Sequence, residues 1–371
     1  MGERAGAAMR RQAHVQTDSG PGTGPDPYRE DRRVKPVIFG LAGPSLSDEE
    51  RALFTACDPA GYILFGRNLV DPVQLRALTD DLRALAGRDE LFIMIDQEGG
   101  RVARMKPPHW PAFPAAGRFD ALYEVAPSSA IEAARSNARA LGAMLAEVGI
   151  TADAAPVLDV RQAGASDIVG DRAYGAEPMR VAALGRATLE GLRAGGVVGI
   201  VKHMPGHGRA LVDSHQELPT VTASAADLAA DMAPFRTLNR APAGMTAHIV
   251  YTAWDAERPA SLSPRVIGDI IRGEIGFDGL LMSDDLDMKA LRGAADELAA
   301  GVVAAGCDLA LNCWGRMDEM AAIAARLPEM SERSRERLSR AMATIAAGPD
   351  ADWPMERAIA TRDALFARAM A

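Results

Sequence analysis

Val197-Val198-Gly199-Ile200-Val201-Lys202-His203-Met204-Pro205-Gly206-His207-Gly208 begins as an apolar run and ends as a loop dense in ionisable groups. The run has strand length and carries no charge before Lys202, the pattern of a strand buried on both faces of a parallel sheet. Gly and Pro then break the chain into a loop that goes on to Asp213-Ser214-His215. Residues 202–215 hold three of the six histidines of the chain. Ionisable groups just past the carboxyl end of a strand are where α/β folds keep their chemistry.

The same rhythm recurs on either side. Apolar runs at 36–41, 61–65, 91–95, 152–158, 199–203, 244–249, 279–283 and 307–311 alternate with segments of helical period. Amphipathic helices are expected at 71–85, 129–148, 178–194, 225–238, 263–273 and 296–305. Eight β–α steps predict an α/β fold, a (β/α)8 TIM barrel in a single domain. The competing arrangement is an open doubly wound sheet. Its Gly-x-Gly-x-x-Gly turn is missing after the first run, where the chain reads Gly40-Leu41-Ala42-Gly43-Pro44.

The barrel is expected to occupy residues 35–371, with terminal helices from 325 onward packed outside it. Residues 1–34 are polar, rich in Gly, Pro and Arg, and read as a flexible tail. Arg10-Arg11 is followed by no apolar stretch, so no secretory signal is read there. No run reaches the ~18 apolar residues of a membrane span. The net charge of −9 over 371 residues argues against nucleic acid as partner. Three scattered cysteines, Cys57, Cys307 and Cys313, fit a reducing cytoplasm and no disulfide frame.

Polar residues crowd the carboxyl ends of the runs. The third leads into Asp96-Gln97-Glu98, the fifth ends in Lys202-His203, the sixth holds His248, the seventh leads into Asp284-Asp285 and the eighth into Asn312. The loop after the fourth carries Asp171-Arg172. Several carboxylates with imidazole, Lys and Arg suit hydrolysis of a hydroxyl-rich substrate. Glycoside hydrolysis needs a nucleophile or base on one side of the anomeric carbon and a proton donor on the other. Asp284 or Asp285 supplies the first. Successive strand residues face opposite sides, so both cannot face one substrate if the strand continues through them, and periodicity does not choose. His215, two residues after Asp213, is the candidate donor, its ring oriented and its protonated form favoured by that carboxylate.

At these residues the chain resembles glycoside hydrolase family 3, and within it the single-domain bacterial β-N-acetylglucosaminidases of cell-wall recycling. The resemblance covers roughly 36–345. It rests on Asp96-Gln97-Glu98-Gly99-Gly100-Arg101, Ala155-Pro156-Val157-Leu158-Asp159, Gly170-Asp171-Arg172, the Lys202-His203 loop with Asp213-Ser214-His215, Ala247-His248, Pro259-Ala260-Ser261-Leu262-Ser263 and Ser283-Asp284-Asp285-Leu286. It implies a TIM barrel and a retaining mechanism with Asp284 as nucleophile and His215, supported by Asp213, as acid/base. It also implies that Asp96, Arg104, Arg172, Lys202 and His203 hold a terminal N-acetylglucosamine of a muropeptide, with no metal and no organic cofactor. Met204 and Tyr174 stand where the family usually has Phe, and residues 1–34 have no counterpart in its shorter members.

Other chemistries are compatible with parts of the pattern. His203, His207, Asp213 and His215 invite a metallohydrolase reading, though their spacing matches no closed ligand set. Paired acids at 284 and 285 suit a substrate-assisted hexosaminidase. A histidine acid/base also suits a phosphorylase, and a non-catalytic sugar-binding barrel would lack the nucleophile or the dyad. The four tryptophans read first as core, and Trp314, close behind the eighth run, is the one candidate among them for stacking on a sugar. Cys313 beside it reads as packing.

Overall fold

The structure, a computed structural model, describes residues 33–164, 168–212 and 217–369. The amino-terminal half runs β1 (Lys35–Gly40), α1 (Asp48–Cys57), β2 (Pro59–Leu64), α2 (Pro72–Ala86), β3 (Phe92–Ile95), α3 (Gly117–Val125), α4 (Pro127–Glu147), β4 (Ala152–Asp153) and α5 (Pro178–Ala194). It continues through β5 (Val198–Met204), β6 (Thr220–Val221), α6 (Ala225–Thr237), β7 (Ala243–Thr246) and β8 (Val250–Tyr251). A π-helical segment (Val266–Glu274), β9 (Leu280–Asp285), α7 (Ala295–Ala305), β10 (Leu309–Asn312), α8 (Met317–Arg326), α9 (Glu332–Ala343) and α10 (Met355–Ala369) complete it. Among the described residues eight strands close into a parallel barrel in the order β1-β2-β3-β4-β5-β7-β9-β10. The short β6 and β8 pair with each other outside it. The chain is therefore the expected (β/α)8 barrel, and the expected tail falls almost entirely outside the described residues.

Alternation along each strand builds two layers of core. Ile38, Phe92, Met94, Ile200, Leu280, Met282 and Leu309 fill the barrel interior. Their neighbours Val37, Phe39, Ile93, Ile95, Val201 and Leu281 pack outward beneath the helices. This is the period-two division of a barrel strand between lumen and helical shell. The strands are apolar at nearly every position because both of their faces are covered.

Local signals set the helix ends. The Asp71 side chain accepts from Gln74 N at 2.8 Å with Pro72 at the first position of α2, a cap that satisfies an amide with no partner inside the helix. Helix α1, absent from the expected segments, buries only Glu50, Phe54 and Cys57. Too few apolar positions mark it, and the Ser47–Glu50 capping box fixes its start instead. Small buried residues on α4, among them Ala133, Ala134 and Ala138, let it lie close against α5, and α10 covers it from outside.

Two expected strands differ. The run at 152–158 is continuously laddered only through Asp153; past Pro156, which has no amide to donate, it meets β5 again in a single parallel bridge between Val157 and Lys202. The chain nonetheless follows β5, with Ile200 N donating to Ala155 O at 2.8 Å and Leu158 N to Lys202 O at 2.7 Å. The run at 244–249 ends its ladder at Thr246, and His248 stands just beyond. Asp308 opens β10 and binds Arg272 and Arg337 at 2.8 and 2.9 Å.

Candidate active site

The carboxyl ends of the strands surround a cavity of about 820 Å³. Ile63, Met245 and Leu311, top members of the barrel interior, form its apolar lining. Asp96, Glu98, Arg104, Arg172, Lys202, His203, Asp284 and Asp285 supply its polar groups.

The register explains how consecutive residues reach one cavity. Between Met282 and Asp285, β9 advances three positions while β10 advances two, from Leu309 to Leu311. Between Val201 and Met204, β5 advances three while β7 advances two, from Gly244 to Thr246. Each is an extra residue in one strand, a bulge that breaks the alternation and re-aims side chains. Lys202 with His203, and Asp284 with Asp285, consequently line the same space. The expectation that a continuing strand would separate Asp284 from Asp285 is corrected here: β9 does continue through both, and the bulge removes the alternation.

Lys202 is the centre of the polar nest. Its side chain is 2% exposed, and its ammonium lies 2.9 Å from Asp96 Oδ1 and 2.7 Å from Glu98 Oε1. Arg172 grips Glu98 with two bonds of 2.8 and 2.7 Å, the fork geometry that suits guanidinium and carboxylate. Arg104 reaches Asp96 Oδ2 at 3.2 Å. Burial alone would push both carboxyls up, but Lys202 with Arg104 holds Asp96 far below the usual carboxylate range. Lys202 with Arg172 brings Glu98 down to about 2. Despite burial, the two carboxylates raise the Lys202 pKa. The nest is thus fully ionised near neutrality. Gln97 braces it from behind, accepting from Arg104 N at 2.7 Å and Met105 N at 3.0 Å.

His203 is anchored by Asp159, which is fully buried. Asp159 Oδ2 lies 2.7 Å from His203 Nδ1, while Oδ1 accepts from the amides of His203 at 3.2 Å and His207 at 2.7 Å. Burial opposes this charge, yet the two histidines keep the Asp159 pKa down at about 2. The ionised Asp159 accepts a hydrogen bond from Nδ1–H, which leaves Nε2 of His203 for the cavity that the residue lines.

On the other side, His248 is buried with Nε2 3.0 Å from the carbonyl oxygen of Asp285 and Nδ1 2.7 Å from Ser261 Oγ. The carbonyl only accepts, so Nε2 carries the proton and the Ser261 hydroxyl donates to Nδ1. Burial lowers the pKa of this ring. His248 therefore steadies the end of β9. Asp284 Oδ1 accepts from Asp285 N at 2.8 Å. The Asp285 carboxyl accepts from Asp287 N at 3.2 Å and Cys313 N at 3.3 Å, and burial pushes it up to about 7.

Of the expected site residues, Asp96, Arg104, Arg172, Lys202, His203 and Asp284 come together. Asp213 and His215 lie outside the described residues. Glu98, Asp159 and His248 hold the others in place and carried no assigned role. Glu98 was legible: it stands two residues after Asp96, the spacing at which extended residues share a face. Asp159 and His248 bind partners distant in sequence, which no local pattern marks. Tyr174 Oη meets Thr188 Oγ1 at 2.7 Å, so its hydroxyl is satisfied where a Phe would have none. The Cys313 thiol is raised well above its usual value by burial, which suits packing. Among the described residues no three His, Cys, Asp or Glu side chains group to hold a metal ion.

The loop that leaves β5 is pinned at its root. A Cβ on Gly208 would stand 1.9 Å from Val160 O, and Tyr251 Oη donates to Gly206 O at 2.8 Å. Gly208→Ala is expected to cost about 1–3 kcal/mol in urea unfolding, as overpacking does, with activity falling as the loop shifts. A variant with wild-type midpoint would show that the approach is not tight.

The "Glycosyl hydrolase family 3 N terminal domain" profile matches residues 33–346. The chain belongs to glycoside hydrolase family 3. A Beta-hexosaminidase of Alkalilimnicola ehrlichii is 40% identical over 310 residues, 82% of this chain and 88% of that protein. Among solved structures, native NagZ from Neisseria gonorrhoeae superposes with a TM-score of 0.80 at 32% identity, covering 90% of this chain and 98% of its own. The same protein in complex with N-trifluoroacetyl-D-glucosamine gives 0.80 at 32% identity, with 91% and 98% covered. Family membership makes the chain a glycoside hydrolase, and the cavity at the barrel mouth is where such chemistry resides. Among the described residues no helix is long and apolar enough to cross a membrane.

Proposed function

We propose that this β-hexosaminidase is a retaining exo-β-N-acetylglucosaminidase that removes the terminal N-acetylglucosamine of peptidoglycan-derived muropeptides. One observation carries the reading: Asp284 faces the same cavity as a fully ionised nest of Asp96, Lys202, Arg172 and Arg104, with His203 at its side. Such a nest offers fixed acceptors and donors to the hydroxyls of one sugar and sets its anomeric carbon against a carboxylate. The likeness to NagZ bound to an N-acylated glucosamine supports N-acetylglucosamine as that sugar. Three buried free thiols support a reducing cytoplasm.

The mechanism follows from these roles. An Asp284 oxygen bonds to the anomeric carbon as the glycosidic C–O bond breaks, and His215 gives its proton to the leaving oxygen. His215, now neutral, takes a proton from water, whose oxygen displaces Asp284 and regenerates the carboxylate. Asp213 supports the imidazolium that is present before the first step and formed again in the second. Two displacements return the original β configuration.

The deciding measurement is the anomer first released from an N-acetylglucosaminyl-muramyl substrate, read by NMR. The β anomer, at a rate independent of phosphate, is expected; the α anomer, or a phosphate requirement, overturns the reading. His215→Ala is expected to lose roughly 10²–10⁴-fold on the muramyl substrate, the usual worth of general acid catalysis. The loss should be much smaller on a 2,4-dinitrophenyl glycoside, whose leaving group needs no proton. Equal losses on both would remove His215 as the acid.

A further inference from the structure

Trp314 is 52% exposed at the mouth of the cavity. A large aromatic ring left open beside a polar nest calls for a reason. It belongs to a stack that starts inside the sugar site and closes on Arg316. The Arg104 guanidinium, bonded to Asp96, lies 5.3 Å from the Phe65 ring centre. Arg67 lies 4.9 Å from the same ring and 5.8 Å from that of Trp314, and Arg316 lies 5.6 Å from Trp314. Rings and cations thus alternate from the inner pocket outward, each contact electrostatically favourable.

The stack is held by backbone. Arg67 Nε donates to Leu41 O at 2.7 Å, and its Nη2 donates to Cys313 O. Gly315 has φ +67°, and a Cβ there would stand 2.6 Å from Ala42 N, so the turn after Trp314 is fitted against the β1 loop. Arg316 is tied outward to Asp287 at 3.1 Å and Glu319 at 2.6 Å. The indole therefore enters binding with little motion left to lose, which is how a rigid aromatic anchor gains affinity.

We infer that Trp314, positioned by Arg67, is the platform for the sugar on the leaving side of the scissile bond, whose apolar C–H face stacks on the part of the indole that Arg67 and Arg316 leave exposed. This rests on the glycosidase reading above. The inner nest binds one residue through its hydroxyls, and Trp314 selects substrates whose aglycone is itself a pyranose.

The test compares wild type, Trp314→Ala and Trp314→Phe. The two-sugar substrate is N-acetylglucosaminyl-β-1,4-N-acetylmuramic acid, and free N-acetylglucosamine is the competitive inhibitor of the inner pocket alone. Trp314→Ala is expected to raise KM for the disaccharide roughly tenfold, the loss of one aromatic anchor. Trp314→Phe should recover part of it, and the inhibition constant of N-acetylglucosamine should stay within about twofold of wild type. An unchanged KM, or equal weakening of both ligands, overturns the platform. A wild-type enzyme that neither cleaves the disaccharide nor binds N-acetylglucosamine overturns the glycosidase reading, and this inference with it.

Discussion

Asp284→Asn should reduce turnover of 4-nitrophenyl N-acetyl-β-D-glucosaminide by roughly 10⁴-fold or more, as loss of a covalent nucleophile does. The amide keeps the shape of the side chain and can still accept from Asp285 N, the 2.8 Å bond that orients it. The nest of Asp96, Lys202, Arg104 and Arg172 is untouched, so KM should change little. The defect is therefore chemical: a neutral amide oxygen does not form the glycosyl ester. Asp284→Ala adds a second readout. Azide admitted to the vacated space attacks the face that the carboxylate used, and the product is the α-glycosyl azide. Undiminished turnover in the Asn variant, or a β-azide from the Ala variant, would remove Asp284 from this role.

Lys202→Met is expected to damage both activity and stability. One ammonium, 2.9 Å from Asp96 and 2.7 Å from Glu98, neutralises two carboxylates inside the barrel mouth. Removing one partner of a buried ionic group typically costs about 3–5 kcal/mol. Arg104 and Arg172 remain, and they keep the loss from being larger.

The pH dependence separates this from a simple packing defect. In the wild type both carboxyls sit below their unfolded values. Their contribution to stability is complete above about pH 4.5 and is lost as pH falls toward about 2. Between pH 5 and 7 this cluster gives the wild type no slope. Without Lys202, burial and mutual repulsion outweigh what Arg104 and Arg172 still supply, and the folded pKa values of the pair are expected to rise above the unfolded ones. The folded variant then binds more protons than the unfolded chain, so its stability should increase as pH is lowered from 7 to 5. Urea unfolding of both proteins across that window is the measurement. A variant parallel to wild type would show that Lys202 does not neutralise these acids.

Much of the architecture was readable because its causes are local. Helix α5 falls where the period and Pro178 place it, and the barrel strands announce themselves as runs apolar on both faces. The site was readable as a set because a parallel barrel gathers its strand ends on one rim. Asp96, Lys202 and Asp284 therefore sit where their strands end, whatever the intervening helices do. Helix α1 escaped because a cap, and not a hydrophobic period, defines it. The extent of β4 escaped because Pro156 stops the ladder while the chain continues beside its neighbour.

By itself the sequence determined the eight-fold alternation, the family and the residues that crowd the catalytic rim, since periodicity and motif spacing depend on near neighbours in the chain. Only the tertiary structure decided that Asp284 and Asp285 share a cavity, that Glu98 and Asp159 hold Lys202, Arg172 and His203 in place, and that Trp314 belongs to a stack reaching back to Arg104. The reason is physical. A bulge exists only as a mismatch between two paired strands, and an ion pair or a ring stack forms between groups that the chain separates by tens or hundreds of residues and that barrel closure alone brings into contact.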